Sequence, residues 1–166
     1  MDTKNKEVNG ILYRINSILC ISLITEISEV IQDQTIQAIP LSQPWLLGLI
    51  PLRGKAIPIT DLEGFISHSQ FPSPTRLTPT AALSNKTKSA AIIVFSQSNW
   101  TYGIRISQLL GLNTFTIKNE TPLTPHSLES VKELIEGTTT IMNEPAYILN
   151  LPKLTLNTHF MSPYQL

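Results

Sequence analysis

Residues 45–66 constrain the fold of this chain more than any other stretch. They read WLLGLIPLRGKAIPITDLEGFI, with apolar runs at 46–52 and 56–62 on either side of the connection 53–55. Strand-forming residues on both sides of a short, glycine-containing connection are typical of a β-hairpin. Gly54 can take a positive φ at no steric cost, so it is the expected turn residue. The pattern therefore predicts a hairpin in a mainly β protein.

The ends of this predicted hairpin carry its polar residues. Arg53 and Lys55 place two cations at the tip of a hairpin that is otherwise uncharged up to Asp61. Asp61 is placed to cap a short helical turn over residues 62–66, because its carboxylate can accept backbone N–H bonds there. Arg53 at the tip is thus a candidate binding residue, and Asp61 a candidate cap.

A similar order of elements occurs twice along the chain. Runs at 11–15 and 18–21 predict a first hairpin, followed by a helical turn from Leu23, and runs at 91–95 and 100–106 predict another, with 107–112 in place of the helical turn. These repeats suggest two related β units, which as five-stranded barrels would leave few open strand edges. Two unrelated hairpin sets of similar length are the alternative.

The last predicted hairpin supports the repeat. When Gly48 is placed on Gly137 without gaps, Gly54 falls on Asn143, the other residue type that tolerates positive φ. Between the two units, residues 67–89 are rich in Ser, Thr and Pro, which is typical of an exposed, partly extended linker.

Composition excludes several classes of function. The 166 residues include 12 basic and 12 acidic side chains, so no basic excess is available for nucleic acid. Apolar residues make up 42% of the chain, which is enough for a buried core. The longest apolar region, 15–31, is interrupted by Asn16, Glu26 and Glu29, so direct membrane insertion is not expected. We expect a cytoplasmic protein.

Residues with catalytic or metal-binding potential are scattered. Cys20 is the single cysteine and lies in an apolar run, where a buried thiol is expected. His68, His126 and His159 share no ligand spacing, and the chain lacks phosphate-loop, dinucleotide-binding and nucleophile-elbow motifs. The sequence predicts no enzyme activity, no cofactor and no metal site.

The central hairpin resembles the signature segment of CheW-like domains, the adaptors that couple chemoreceptors to a histidine kinase. The segment has the form G-x-x-x-L-R-G-x-x-I-P-x-x-D-L. Here it is carried by Gly48, Leu52, Arg53, Gly54, Ile57, Pro58, Asp61 and Leu62. Pro51 stands where the family usually has Asn, and Thr60 where an apolar residue is usual. Leu110-Gly111-Leu112 followed by Phe115 is similar to the PilI-type branch, which serves type IV pili and twitching motility.

The resemblance implies a fold and its boundaries. It implies a mainly β protein of two SH3-like, five-stranded β-barrel subdomains packed side by side with short helices. The single CheW-like domain would span residues 10–156, between tails at 1–9 and 157–166. Its first subdomain would cover 10–66 and its second 90–156, joined by the linker 67–89.

The resemblance also implies a function. It implies a non-catalytic adaptor in chemotaxis or pilus-mediated motility. One surface would bind the cytoplasmic helical hairpin of a chemoreceptor, and another the regulatory domain of a CheA-like histidine kinase. A small-ligand-binding β-barrel sensor module is the alternative, and it would require an enclosed apolar pocket.

The partner-binding candidates come from two motifs. Arg53, Gly48 and Gly54 belong to the signature segment, while Ile27 and Glu29 match a second family pattern, V-x-E-[IV]. An arginine on a hairpin tip can bind a partner's carboxylate with two hydrogen bonds. Each candidate also has a structural interpretation. The glycines can serve backbone geometry, Ile27 can be core and Glu29 a solvated face.

For Arg53 the structural interpretation is pairing within its own unit. The sequence offers Asp61 or Glu63 as the partner carboxylate, in which case the arginine would brace its own hairpin.

Overall fold

A computed structural model describes residues 6–70, 90–118 and 124–162 of the chain. It contains ten strands, one α-helix (α1, Leu62–Gln70) and 3-10 helices at Ile24–Glu26, His126–Leu134 and Leu151–Leu156. The strands are β1 (Lys6–Ile15), β2 (Ile18–Leu23), β3 (Glu29–Gln32), β4 (Leu46–Leu52), β5 (Lys55–Asp61), β6 (Ala91–Gln97), β7 (Trp100–Ile106), β8 (Gln108–Ile117), β9 (Ile135–Ile141) and β10 (Glu144–Leu149). The prediction of a mainly β protein with short helices is confirmed.

The ten strands form two five-stranded sheets. Sheet 1 has the order β8-β1-β2-β10-β9, and sheet 2 has the order β3-β6-β7-β5-β4. In each sheet the two hairpins meet through a parallel pair, β2 with β10 and β7 with β5. The remaining neighbours are antiparallel. The predicted pair of five-stranded units is therefore present, with one topology used twice.

The sheets do not follow the two expected halves of the chain. Sheet 2 is built from consecutive strands between residues 29 and 106, whereas sheet 1 takes two strands from before this segment and three from after it. The expected subdomains 10–66 and 90–156 thus each contribute to both sheets. Sequence order suggested the halves, but the opening hairpin β1–β2 pairs with the closing hairpin β9–β10 and not with its neighbour β4–β5.

Neither sheet is a completely closed barrel, but an isolated bridge links the two ends of each sheet. In sheet 2 one isolated bridge, Gln37 with Leu49, links the segment after β3 to β4; in sheet 1 Lys118 and Thr138 make the matching link between β8 and β9. Gly48 and Gly137 immediately precede the bridge residues Leu49 and Thr138 on β4 and β9. A Cβ on Gly48 would overlap the Gln37 carbonyl, and one on Gly137 would contact the Ile117 side chain. The glycines aligned in the sequence therefore occupy equivalent places, but Gly48 is fitted against backbone and Gly137 against a side chain.

The hairpin turns use positive φ as predicted. Arg53 and Gly54 have φ of 51° and 78°, and the aligned Met142 and Asn143 have 47° and 63°. Two successive residues of positive φ form the turn whose twist matches that of its flanking strands. Asn16 likewise has a φ of 55° in the β1–β2 connection.

The helical turn predicted after Leu23 is present as the 3-10 helix Ile24–Glu26. Two other local predictions differ from the structure. In the expected helical segment 107–112, residues 108–112 lie in strand β8. Helix α1 continues to Gln70, so the first four residues of the expected linker 67–89 are helical. The rest of that linker, 71–89, lies outside the described residues. For residues 108–112, pairing of β8 with β1 outweighed the local helical pattern.

The strands alternate between separate cores. On β2, Leu19 and Ile21 point into the interior of sheet 1, while Cys20 faces a larger core between the sheets. On β6, Ile92 and Val94 likewise fill sheet 2, while its neighbouring residues join the larger core. Helix α1 and two of the 3-10 helices cover that shared core. Each sheet thus fills its own interior with side chains and packs against the other through a second face.

Candidate functional site

All strands of sheet 2 contribute to a shallow depression at one end of the sheet, which we call the Arg53 site. It lies where the β4–β5 and β6–β7 hairpin tips come together, because β5 and β7 run parallel. It has a volume of about 230 Å³. Its lining residues are Ser28, Glu29, Leu52, Arg53, Lys55, Ile57, Ser96 and Thr101. Buried Ile57 contributes the apolar part, and hydroxyl and charged groups form the rim.

Two of the predicted binding residues form an ion pair at this site. Arg53 Nε lies 3.2 Å from Glu29 Oε1, and Arg53 Nη2 donates to Glu29 Oε2 at 3.4 Å. The pair joins β3 to the turn that follows β4, and β3 and β4 are the two edge strands of sheet 2. The Arg53 side chain is 79% exposed and that of Glu29 27%. A pair this exposed is worth little to stability, so it can open at low cost.

The internal partners considered for Arg53 are engaged elsewhere. Glu63 Oε1 accepts a hydrogen bond from Ser107 Oγ at 2.6 Å and from the Asn16 backbone N–H at 3.2 Å. Burial raises the pKa of Asp61 to about 6, with the Glu63 charge adding to the shift and the nearby Arg105 opposing it. Arg53 thus pairs with neither carboxylate of its own hairpin end, and its partner Glu29 lies on strand β3.

The other predicted residues lie at different depths. Gly54 is exposed at the hairpin tip, and its missing side chain leaves open space there. Gly48 is buried against the backbone of Gln37 and Ala38. The space left by its missing side chain is therefore filled by this backbone and is not open to a partner. Ile27 is half-buried against the core between the sheets, two residues before Glu29. The structure thus brings Arg53, Gly54 and Glu29 together. Ile27 packs against the core between the sheets, and Gly48 is buried within sheet 2.

Several lining residues were missed by the sequence prediction. Ser96 and Thr101 face each other across β6 and β7, with their hydroxyl oxygens 3.1 Å apart. They flank a segment that the sequence identifies only as a turn. The available signal was the repeat of hairpins, because two hairpin tips at one end of a sheet place their flanking residues side by side. Lys55 had been noted as a tip cation but not as a binding residue.

The geometry of the site suits docking more than enclosure. Small-molecule pockets are usually about 300–1,000 Å³ and bury most of the ligand. The Arg53 site is smaller, at about 230 Å³. Two cations and one carboxylate give the rim a positive excess, which favours a partner that carries acidic or amide groups.

Two observations bear on catalysis and membrane insertion. Burial raises the pKa of the Cys20 thiol, which therefore stays protonated at neutral pH and is a poor nucleophile. Within 6–70, 90–118 and 124–162, no cluster of three or more His, Cys, Asp or Glu side chains could hold a metal ion. In the same part of the chain, no helix has the length and apolar character needed to cross a membrane.

Comparisons with known proteins agree with this architecture. The family of the CheW-like domain matches residues 9–157. Among solved structures, the scaffolding protein TtCheW from Thermoanaerobacter tengcongensis is similar, with a TM-score of 0.67 at 20% sequence identity. The match covers 93% of this chain and 91% of that chain. At this identity the likeness shows the fold. No curated protein matches the chain.

Proposed function

Because this chain belongs to the CheW-like domain family, we propose that it is a non-catalytic adaptor that couples chemoreceptors to a CheA-like histidine kinase. The Arg53 site would bind the cytoplasmic helical hairpin of the receptor, and a second surface the kinase regulatory domain. The adaptor transmits by position, since two modest interfaces on one body raise the effective concentration of receptor and kinase. We place it in the cytoplasm at membrane-associated receptor arrays.

The observation that carries this proposal is the Arg53–Glu29 pair. Two residues 24 positions apart, which the family resemblance had assigned to binding, meet at an exposed end of sheet 2. An exposed guanidinium already held in a fork geometry is prepared to exchange its internal carboxylate for one from a partner. The adjoining hydroxyl groups of Ser28, Ser96 and Thr101 add adaptable hydrogen bonds around that contact.

Charge reversal at Arg53 is the direct test. We expect Arg53→Glu to abolish capture by a receptor helical-hairpin fragment in pull-down and titration experiments, because two carboxylates would then face each other on the rim. Arg14→Glu is the matched control. Arg14 makes a similar two-bond pair with Glu144 on sheet 1, with distances of 2.8 and 3.1 Å. Normal capture by Arg53→Glu with unchanged circular dichroism would refute the assignment of this site.

A charge swap separates recognition from bracing. The double variant Arg53→Glu with Glu29→Arg restores an ion pair between the edges of sheet 2 but exchanges the positions of the charges. If Arg53 recognises the receptor, capture stays lost. Recovery of capture would mean that the pair acts only as a brace, and the receptor contact would have to be sought elsewhere.

The motility output is a finer part of the proposal. The segment that resembles the pilus branch lies on edge strand β8, where Leu110 and Leu112 are 42% and 61% exposed. Exposed apolar residues on a sheet edge are suited to contact another protein. We propose pilus-mediated motility as the alternative to flagellar chemotaxis. Pull-down with kinases from both systems would distinguish them.

A further inference from the structure

Residues 157–162 form a segment that packs on the body of the protein just beyond strand β10 and the last 3-10 helix. Phe160 is only 4% exposed and joins the core between the sheets. Its ring lies nearly parallel to that of Trp45, with centroids 6.2 Å apart, and meets Phe65 edge-on at 5.6 Å. The family match ends at residue 157, so residues 158–162 of this segment lie beyond the matched range.

The segment is also held by a pair of histidines. His68 Nδ1 on α1 and His159 Nε2 lie 3.2 Å apart. The ring planes differ by only 5°. The ring centroids are 5.2 Å apart, which is close to the largest separation possible for two imidazoles whose nitrogens are 3.2 Å apart. The nitrogens therefore point toward each other, and the contact is a ring-to-ring hydrogen bond. Such a bond needs one nitrogen with a proton and one without.

Protonation works against this arrangement. If both rings carry an extra proton, neither facing nitrogen can accept, and two positive charges meet at hydrogen-bond distance. His159 also lies against the rings of Trp45 and Phe65, with centroids 5.5 and 5.4 Å away. Burial lowers the pKa of His159, and the His68 charge lowers it further. The packed segment thus favours the neutral imidazole.

The other titratable groups around the segment do not offset this effect. From β7, Tyr102 donates to Met161 Sδ at 3.5 Å, and burial raises its pKa, so it stays neutral in acid. From the 3-10 helix His126–Leu134, Glu133 accepts a hydrogen bond from Asn157 Nδ2 at 3.3 Å. That contact holds the start of the segment, whereas the His68–His159 pair and Phe160 hold its centre.

We propose that residues 157–162 are an acid-released clasp, closed by the hydrogen bond between His68 and His159 and opened when the His159 ring is protonated. When the clasp is closed, the pKa of His159 lies below its ordinary value of 6.5. At pH values between the closed-state pKa and 6.5, the released form therefore binds more protons than the closed form. Closure is therefore complete above about pH 7 and weakens as the pH falls through about 6.5, by up to tenfold per unit of pKa lowering. Release uncovers the aromatic surface of Trp45 and Phe65.

Tryptophan emission provides the test. The chain has two tryptophans, of which Trp100 is 67% exposed and Trp45 is 1% exposed. In a Trp100→Phe background the emission reports Trp45 alone. We expect its maximum to shift to longer wavelength between about pH 7.5 and about pH 5, as Trp45 becomes exposed to water. A decrease in intensity without a shift would mean quenching by imidazolium in a closed segment, and would overturn the proposal.

Histidine variants assign the transition. His159→Phe keeps an aromatic ring against Trp45 and cannot be protonated, so the emission maximum should stay constant over the same pH range. His126→Gln is the control, because that side chain is exposed on another element, and it should keep the full shift. A shift that persists in His159→Phe would refute the clasp. Amide exchange at residues 159 and 160, whose N–H groups both donate to Asn157 Oδ1 at 2.9 and 3.1 Å, gives a second readout independent of fluorescence.

Discussion

The two sheets share one strand order but differ at the hairpin tips that define the Arg53 site. The register places Met142 of sheet 1 at the position of Arg53, Glu144 at that of Lys55 and Gly111 at that of Glu29. Met142 is 92% exposed, and Gly111 has no side chain to meet it. Sheet 1 therefore lacks a counterpart of the ion pair between sheet edges.

The ion pair that sheet 1 does have is placed differently. Arg14 and Glu144 come from β1 and β10, the two neighbours of β2, so their bond crosses a strand that is already paired on both sides. The Arg53–Glu29 pair instead crosses a gap where the described backbone makes few bonds. The same type of contact reinforces the interior of one sheet and closes an opening in the other. A contact across an opening is the one suited to exchange with a partner.

The two glycines beside the bridges should give the largest difference between the sheets. Gly48 has a φ of 143°, and an added methyl group would overlap the Gln37 backbone, whereas a methyl group on Gly137 would meet an Ile117 side-chain methyl at 3.0 Å. We expect Gly48→Ala to lower the free energy of unfolding by about 3 kcal/mol and Gly137→Ala by about 1 kcal/mol. Urea denaturation checks this. Equal losses of unfolding free energy would mean that the structure around the two bridges is equally rigid.

The helix caps at the ends of β5 and β10 should give an intermediate and pH-dependent difference. Asp61 accepts backbone hydrogen bonds from Glu63 and Gly64 at the start of α1. Asp61 corresponds to Asn150, whose side-chain oxygen accepts the Lys153 N–H without a charge. The pKa of Asp61 is raised by burial from 3.8 to about 6, so the folded state binds more protons than the unfolded state between these values. The stabilising effect of the protonated acid is present below about pH 4 and is lost as the pH rises through about 6.

Asp61→Asn should therefore make the cap of sheet 2 behave like that of sheet 1. At about pH 8 we expect it to raise the free energy of unfolding by 1–3 kcal/mol, since each pKa unit corresponds to about 1.4 kcal/mol. At about pH 4 the gain should vanish, because the wild-type acid is then protonated as well. Thermal unfolding at the two pH values measures the difference. A gain that is independent of pH would assign the effect to packing.

The two ion pairs should give the smallest difference in stability. We expect Arg53→Ala to change the free energy of unfolding by less than about 0.5 kcal/mol, because the arginine is mostly solvated. Arg14→Ala should cost slightly more than Arg53→Ala, because the Arg14 side chain is only 27% exposed and also donates to the Ser17 carbonyl. A larger loss at Arg53 than at Arg14 would indicate that the edges of sheet 2 depend on the pair for their closure.

Local sequence patterns predicted the hairpins well, because each hairpin is decided by nearby residues. Alternating apolar residues and a turn residue with positive φ, such as Gly54 or Asn143, are sufficient. Strand pairing between distant segments was not predictable in this way. Nothing in β1–β2 alone indicates that β10 and not β5 lies beside it, because β5 and β10 each offer a similar short apolar run.

The same limit applies to the Arg53 site. The sequence identified Arg53 and Glu29 through separate motifs, but their contact depends on β3 and β4 being the two edges of one sheet. The local carboxylates Asp61 and Glu63 were therefore the nearest candidates in sequence. Ser96 and Thr101 carried no signal of their own, since serine and threonine beside a turn are common in any hairpin.

The nested arrangement of the strands has a consequence for how the protein forms on the ribosome. All five strands of sheet 2 have been made once residue 106 has been synthesised, while β1 and β2 still await strands that end at residue 149. Sheet 2 can thus assemble during translation. The hairpin β1–β2 emerges first, but its sheet is completed last. Until then the outer edges of β1 and β2 are unpaired. The nascent chain is therefore most prone to wrong strand pairing in the segment that was synthesised first.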